Sequence, residues 1–467
     1  MSATAVIVRM YRNLLGDCFL IIVRGEDGKY SKTLVDCGIL QGTPGGDERM
    51  TKVAGNIYES FGKKLDLVVV THEHWDHISG FQYASATFAR QKFNKLWMAW
   101  TEDPADPDGL ALQARFSNAH AKLRALAVVT NKPLRAESAK VGLMGFAGPM
   151  AAAKSNGAKR GSKLIYENLR KWSKQKPTYL SPGMTDSLPG GLKAYVLAPP
   201  REQKYLFKAL PSSRDKETYL GANPTSSEME LAQSQSPFSP SYRWRTDKEI
   251  KAAGATASEA EKWVHRRYFR SDSSKDFYRR IDDRYEIEFN RLSIRMDSNT
   301  NNSSLVLAIE LPDGAIMIFA ADAQVGNWLS WGGVAFKEVE NGQEKITKGH
   351  DLLARARLYK VGHHGSHNAT LSKEGLELMV RDDLIALIST DAKFALKQGK
   401  GWLMPNPNVS AALQKRAPGR VIQGDTLVPA KEKALKNLVR EGKNKLYVDV
   451  LAFGDWPADY AQQNAGQ

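Results

Sequence analysis

Six consecutive residues, His72-Glu73-His74-Trp75-Asp76-His77, gather three imidazoles and two carboxylates directly after the apolar run Leu67-Val68-Val69-Val70. A short, unbroken apolar run of this kind reads as a strand covered on both faces. Open α/β sheets carry their sites at the carboxyl ends of such strands. The pairing of run and cluster therefore predicts an α/β fold with the polar cluster at a strand end. Within the turn, His72 and His74 share one side, while Asp76 and His77 begin a helix and face a second centre. Imidazole and carboxylate donors suit zinc, manganese or iron better than magnesium or calcium.

The flanking sequence supports the same class. Residues 1–10, 18–25 and 32–38 are strand-like, and the passage between Cys18 and Cys37 reads as a hairpin turning at Glu26-Asp27-Gly28. Val53, Ile57, Phe61 and Leu65 recur at helical spacing, predicting a helix over 50–65. Residues 94–100 form the next expected strand. Further strands are expected at 190–200, 303–311, 315–322, 356–365 and 384–390. Between them lie a helical stretch and a Ser- and Pro-rich one. The resulting plan is a core half at 1–100, a helical insertion at 101–177, a core strand segment at 178–200, a polar and basic insertion at 201–295, and the second core half at 296–467.

The later strands supply more donors. Asp36 ends one strand, Asp322 another, and His363 and His364 a third. As neighbours on a strand, His363 and His364 are expected to point to opposite faces. Asp at a strand end is common, but four such ends with donor side chains make a convergent constellation.

His72, His74, Asp76 and His77, followed by Asp322 and a late His, resemble the metallo-β-lactamase superfamily of dinuclear hydrolases. Narrower cues are Gly16-Asp17-Cys18, Asn301-Asn302-Ser303-Ser304-Leu305 and Lys360-Val361-Gly362-His363-His364-Gly365-Ser366, which resemble the hydrolase domain of ComEC-type DNA-uptake proteins. The resemblance covers about 1–100, 178–200 and 296–425 and implies an αββα sandwich with two divalent metals, zinc or manganese, at one edge of the paired sheets. It implies His72 and His74 on the first metal, Asp76, His77 and His364 on the second, and Asp322 as the bridge. It also implies Asp36 orienting a ligand His, Asn302 and Ser366 supporting the site, and His363 beside the substrate, where in protonated form it neutralises developing charge. A bridging hydroxide would attack the substrate. Where the superfamily has a further His before the Asp322 strand, this chain has Thr300-Asn301-Asn302-Ser303, so water or Asn is expected to complete the first site. His120 reads as a packed helix residue and His265 as part of a basic face.

Composition bears on the substrate. The 467-residue chain carries 66 Lys and Arg against 51 Asp and Glu, a formal charge of +15 that attracts polyanions. With 42% hydrophobic and 25% charged residues it is not a disordered chain. It has no signal-like start or membrane-length apolar run, and with only two cysteines it has no disulfide framework, so a cytoplasmic location is expected. The favoured activity is a phosphodiesterase or nuclease, catalysed through Asp76, Asp322 and His363. His367 and the cluster Arg266, Arg267 and Arg270 are the candidate substrate contacts; Lys171-Trp172 with Lys174 and Lys176 offers further cations beside a stacking aromatic, the alternative being helix faces with aromatics inward and charges solvated. A hydrolase of a small ester, thioester or lactam is the enzymatic alternative. A basic nucleic-acid-binding subunit with a vestigial metal site is the non-enzymatic one, and the insertions are also candidate surfaces for a protein partner.

Overall fold

The computed structural model describes residues 3–129, 161–212, 217–219, 250, 252, 256–264, 296–340, 342–398, 402–425 and 434–464. Strand β1 (Ala3–Tyr11) runs antiparallel to β2 (Phe19–Gly25), which turns into β3 (Tyr30–Val35) with Phe19 opposite Val35. The turn closes where expected, with Gly28 in the left-handed region at φ 76° and its N–H donated to the Gly25 carbonyl. Cys18 and Cys37 flank this hairpin as buried free thiols. Strands β4 (Leu67–Val69), β5 (Lys95–Ala99) and β6 (Thr178–Leu180) extend the sheet in parallel.

A second sheet starts with β7 (Thr185–Ser187), β8 (Lys193–Ala198), β9 (Val306–Glu310) and β10 (Ile316–Phe319). A separate hairpin, β11 (Ala335–Glu340) with β12 (Gln343–Lys348), follows. The second sheet resumes with β13 (Ala356–Lys360), β14 (Ile385–Ile388) and β15 (Val421–Gln423), in the order β15-β14-β13-β10-β9-β8-β7. The chain then returns to the first sheet through β16 (Val439–Glu441) and β17 (Tyr447–Gly454), which pairs with β1.

Alternation along the strands divides the core into layers. Val6, Val8, Ile21, Leu67 and Val69 face Val196, Leu307, Met317, Leu358 and Leu387 between the two sheets. Their neighbours Ile7, Leu20 and Val68 turn outward onto Met50, Val53, Ile57, Ile78 and Phe81 of the helices Gly46–Glu59 and Trp75–Tyr83. On the far side Ile318 and Tyr359 pack under Trp328, Leu352 and Leu413. The order is helix, sheet, sheet, helix. Each fully buried Val or Leu contributes about 1.5–3 kcal/mol, and β4, apolar on both faces, is buried on both.

Two expectations shift. The helix expected to reach residue 65 ends at Glu59, because the buried Lys32 ammonium donates to the carbonyls of Ile57 and Ser60, 2.6 and 2.7 Å away, and Phe61 turns left-handed at φ 51°. The helix Ser162–Trp172, which falls within the expected first insertion, buries Ile165, Tyr166, Leu169 and Trp172 in the outer layer of the first sheet. Trp172 stacks on Phe88 at 6.1 Å, so its ring is core and no platform for bases. Among the described residues no helix is long and apolar enough to cross a membrane.

Candidate metal centre

The centre forms where the strand ends of both sheets meet. After β4 the chain bends through Thr71 and His72 into the helix Trp75–Tyr83, which carries Asp76 and His77 in its first turn. That helix start lies hard against the loop after β3, and a Cβ on Gly38 would come within 2.1 Å of the Asp76 carbonyl. Only glycine permits the approach. Asp322 follows β10, and His363 and His364 follow β13.

These side chains sort into two groups that share one residue. Donor atoms of Asp76, His77, Asp322 and His364 lie within 4.8 Å of one another, as do those of His72, His74 and Asp322. All are buried. Among the described residues, His72 Nε2, Asp76 Oδ1 and both Asp322 oxygens have no hydrogen-bond partner although they are buried. Buried polar atoms are almost always paired, and leaving one bare costs about 1–3 kcal/mol. Two ligands held about 2.1 Å from one tetrahedral ion stand roughly 3.4 Å apart. The separations His72 Nε2–Asp322 Oδ2 of 3.8 Å, His77 Nε2–Asp76 Oδ2 of 3.7 Å and His77 Nε2–Asp322 Oδ1 of 3.2 Å scatter around that value. The residues present therefore fit a pair of divalent cations.

The tautomers are set from behind. Asp36 accepts from the Thr71 hydroxyl (2.6 Å) and from His77 Nδ1 (2.8 Å), and the Thr71 oxygen lies 3.1 Å from His72 Nδ1. With the hydroxyl proton spent on Asp36, His72 Nδ1 donates to Thr71. Both rings then present bare Nε2 lone pairs to the centre, the usual device for orienting ligand imidazoles. Ser389 donates to Asp17, so its oxygen is free to accept from His364 Nδ1 at 3.2 Å. Asp17 is neutralised by the buried Lys360 ammonium, which also donates to the Ala321 carbonyl at 2.9 Å. Asp17, Lys360 and Ser389 had no expected role. Asp17 stood in a quoted motif, and the oddity of Lys360 inside an apolar strand was the available signal.

Electrostatics separate the two groups. Burial, with His77 and His74 adjacent, holds His72 well below the ordinary imidazole range, and burial lowers His74 to about 4. Burial also opposes charge on His77, but Asp322, Asp76, Asp17 and Asp36 outweigh it and raise that imidazole well above its usual value. His364 is raised in the same sense: burial opposes its charge, and Asp322 and the bond to Asp76 Oδ2 (2.8 Å) overcome it. Burial works against ionised Asp322 as well, yet His77, His363 and His364 keep it far below the usual carboxylate range.

Several expectations need correction. His363 and His364 do not continue the strand; both adopt left-handed backbone (φ 41° and 53°), and both rings turn into the buried site, 6.0 Å apart. Asp36 (φ 55°) and Ala321 (φ 47°) share that strained conformation beside the same centre, the kind of place where such strain is retained. Burial lowers His363 to about 4, so at neutral pH it is an uncharged imidazole that brings an N–H but no positive charge. Asn302 is not aimed at the first group. Its amide donates to Lys208 O and accepts from the N–H groups of Gln324 and Asn327, which pins the loop after Asp322. Ser366 bonds Asn368 at 3.1 Å, and His367, partly buried, is lowered by burial. Arg266, Arg267, Arg270 and His265 lie outside the described residues, as does the His120 side chain.

Residues 14–143 match the metallo-beta-lactamase superfamily. The matched stretch contains Asp17, Asp36 and the whole His72–His77 cluster, and the mixed α/β arrangement of paired sheets is consistent with that fold. This superfamily is generally one of hydrolytic metalloenzymes that bind divalent metals, and the two His/Asp groups could hold them. Asp322 and His364 lie beyond the match and join it through the second sheet. No curated protein matches the chain.

Proposed function

We propose that the protein is a dinuclear metal-dependent phosphodiesterase that cleaves nucleic acid, as the likeness of its motifs to ComEC-type hydrolase domains implies. One observation carries the reading: two ligand groups share the single carboxylate of Asp322. His72, His74 and Asp322 would hold one ion, and Asp76, His77, His364 and Asp322 the other. Bound there, two divalent cations lower the pKa of a water and clamp the oxygens of an in-line displacement. The chain's own part is positioning. Asp36 and Thr71 keep His72 and His77 in the coordinating tautomer, and Asp17 with Ser389 does so for His364. Asp76 aligns with His364, and His363, whose Nε2 lies 3.7 Å from Asp322 Oδ2, stands where it can donate an N–H to a substrate phosphate or to the leaving oxygen.

The formal charge of +15 favours a polyanionic substrate. Basic segments within 101–177 and 201–295, including Arg266, Arg267 and Arg270, are the proposed clamps, and a cytoplasmic location belongs to the same reading. The test is to incubate manganese- or zinc-loaded protein with labelled single-stranded and duplex DNA, RNA, a nitrophenyl phosphodiester and a chromogenic lactam. Phosphodiester cleavage supports the proposal. Turnover of the lactam with every phosphodiester left intact overturns it.

A further inference from the structure

Behind the two ligand groups, a third set of donors converges. Asp17, Asp36 and His77 each place a donor atom within 4.8 Å of the others, and all three side chains are buried. His77 belongs to both sides. Its Nε2 faces Asp322 Oδ1 at 3.2 Å, while its Nδ1 lies 2.8 Å from Asp36 Oδ2 and 3.7 Å from Asp17 Oδ2. A divalent cation drawn to the third set would need a bare Nδ1, and a neutral imidazole has only one bare nitrogen. The ring would then carry its proton on Nε2 and be lost to the second group.

A cation of the chain already stands at that place. Lys360 ends β13 fully buried, which a lysine almost never is unless paired. Its ammonium pairs with Asp17 Oδ2, the oxygen that faces His77 Nδ1. It also donates to the Ala321 carbonyl at 2.9 Å and comes within 3.8 Å of Asp322 Oδ1. The other Asp17 oxygen, Oδ1, accepts from Ser389. Asp17 is thus held by a charge tethered to the backbone, where a free ion could enter and leave.

We infer that Lys360 is a positioning residue whose tethered ammonium fills the cation place beside Asp17 and so directs a metal to His77 Nε2 rather than Nδ1. The inference rests on the dinuclear reading above and goes beyond it, because it accounts for three donor groups making two sites. Lys360 acts through Asp17 and touches no substrate.

The test is nitrogen NMR of the histidine rings in full-length protein loaded with zinc, with His77 assigned by its absence from His77→Gln, alongside calorimetric zinc titration. Wild type is expected to bind two equivalents and to keep the His77 proton on Nδ1. In Lys360→Met the proton should move to Nε2 on loading, and one equivalent should bind at least tenfold more weakly. Lys360→Met combined with Asp17→Asn, which removes the unpaired carboxylate as well, should return the proton to Nδ1. Mere loosening of the structure would not be reversed by removing a second side chain. A His77 proton that stays on Nδ1 in loaded Lys360→Met, or on Nε2 in the double variant, overturns the inference and leaves the dinuclear reading standing. A wild type that binds no zinc overturns both. Should Lys360→Met fail to fold, Lys360→Gln, which keeps a donor for Ala321 without the charge, decides by the same proton position.

Discussion

Two buried polar clusters in this molecule have similar burial and opposite bookkeeping. Under the helix Gly46–Glu59, on the outer face of β1, Arg9 is fully buried and completely engaged. It makes a two-pronged ion pair with Asp449 (2.8 Å each), donates to Asn56, Ser60 and Asn464, and lies 3.4 Å over the Tyr447 ring. Tyr460 donates its hydroxyl to the same Asp449 at 2.6 Å. At the strand-end edge, His72, Asp76, His77 and Asp322 are just as buried, yet atoms on each of them find no partner among the described residues. Fixing a charge in the interior demands complete pairing. A cluster that meets this demand alone is structural, and one that fails it on converging atoms is waiting for something else. The contrast, more than the presence of histidines, supports the reading of the strand-end edge as a metal centre.

The largest effect comes from breaking the second cluster at its shared member. Asp322→Asn should lower phosphodiester hydrolysis at least 10³-fold, about 4 kcal/mol of barrier, measured at saturating metal. The metal-free variant should also melt below metal-free wild type, because His77 and His364 lose the carboxylate that offsets their charge. The first cluster should differ in turnover. Asp449→Asn leaves the Arg9 charge half-answered and should cost about 3–5 kcal/mol of stability, read by denaturant melts, with kcat per folded molecule unchanged. If Asp449→Asn also loses turnover per folded molecule, the two clusters do not differ in kind.

Smaller changes sharpen the comparison. Asp36→Asn keeps a polar side chain but loses the acceptor that orients both His77 and Thr71, and should weaken metal affinity 10–100-fold, measured by competition with a chelating dye. A pH series should separate the two ligand groups. Coordination requires neutral imidazole. His72 and His74, already lowered in pKa, are neutral imidazoles near pH 7, so binding at their site should be nearly flat between pH 6 and 8. His77 and His364 are raised and must give up protons, so binding at theirs should tighten as pH rises through the same range. Parallel slopes for the two sites would remove this distinction.

Much of the site was legible because it is local. The His72–His77 cluster, Asp36 and Asp322 each sit at the end of a recognisable apolar strand, and such ends converge in any paired-sheet fold. What was not legible depends on backbone detail or on distant pairing. The strand rule for His363 and His364 failed because the chain leaves β13 before reaching them and turns left-handed. Asp17 meets Ser389 across 372 positions of sequence, a pairing no local pattern reveals. Trp172 beside Lys171 allowed either a base platform or an inward core ring, and only packing decides for the core.

The most direct test of the central claim is the metal stoichiometry of the stripped protein and its Asp322→Asn variant, titrated with manganese under one buffer and read by calorimetry and elemental analysis. Two equivalents per wild-type chain, with tight binding at both sites lost together in the variant, is the result expected of a shared carboxylate between two ligand groups. Wild-type stoichiometry and affinity in Asp322→Asn, or no metal bound by either protein, would contradict it.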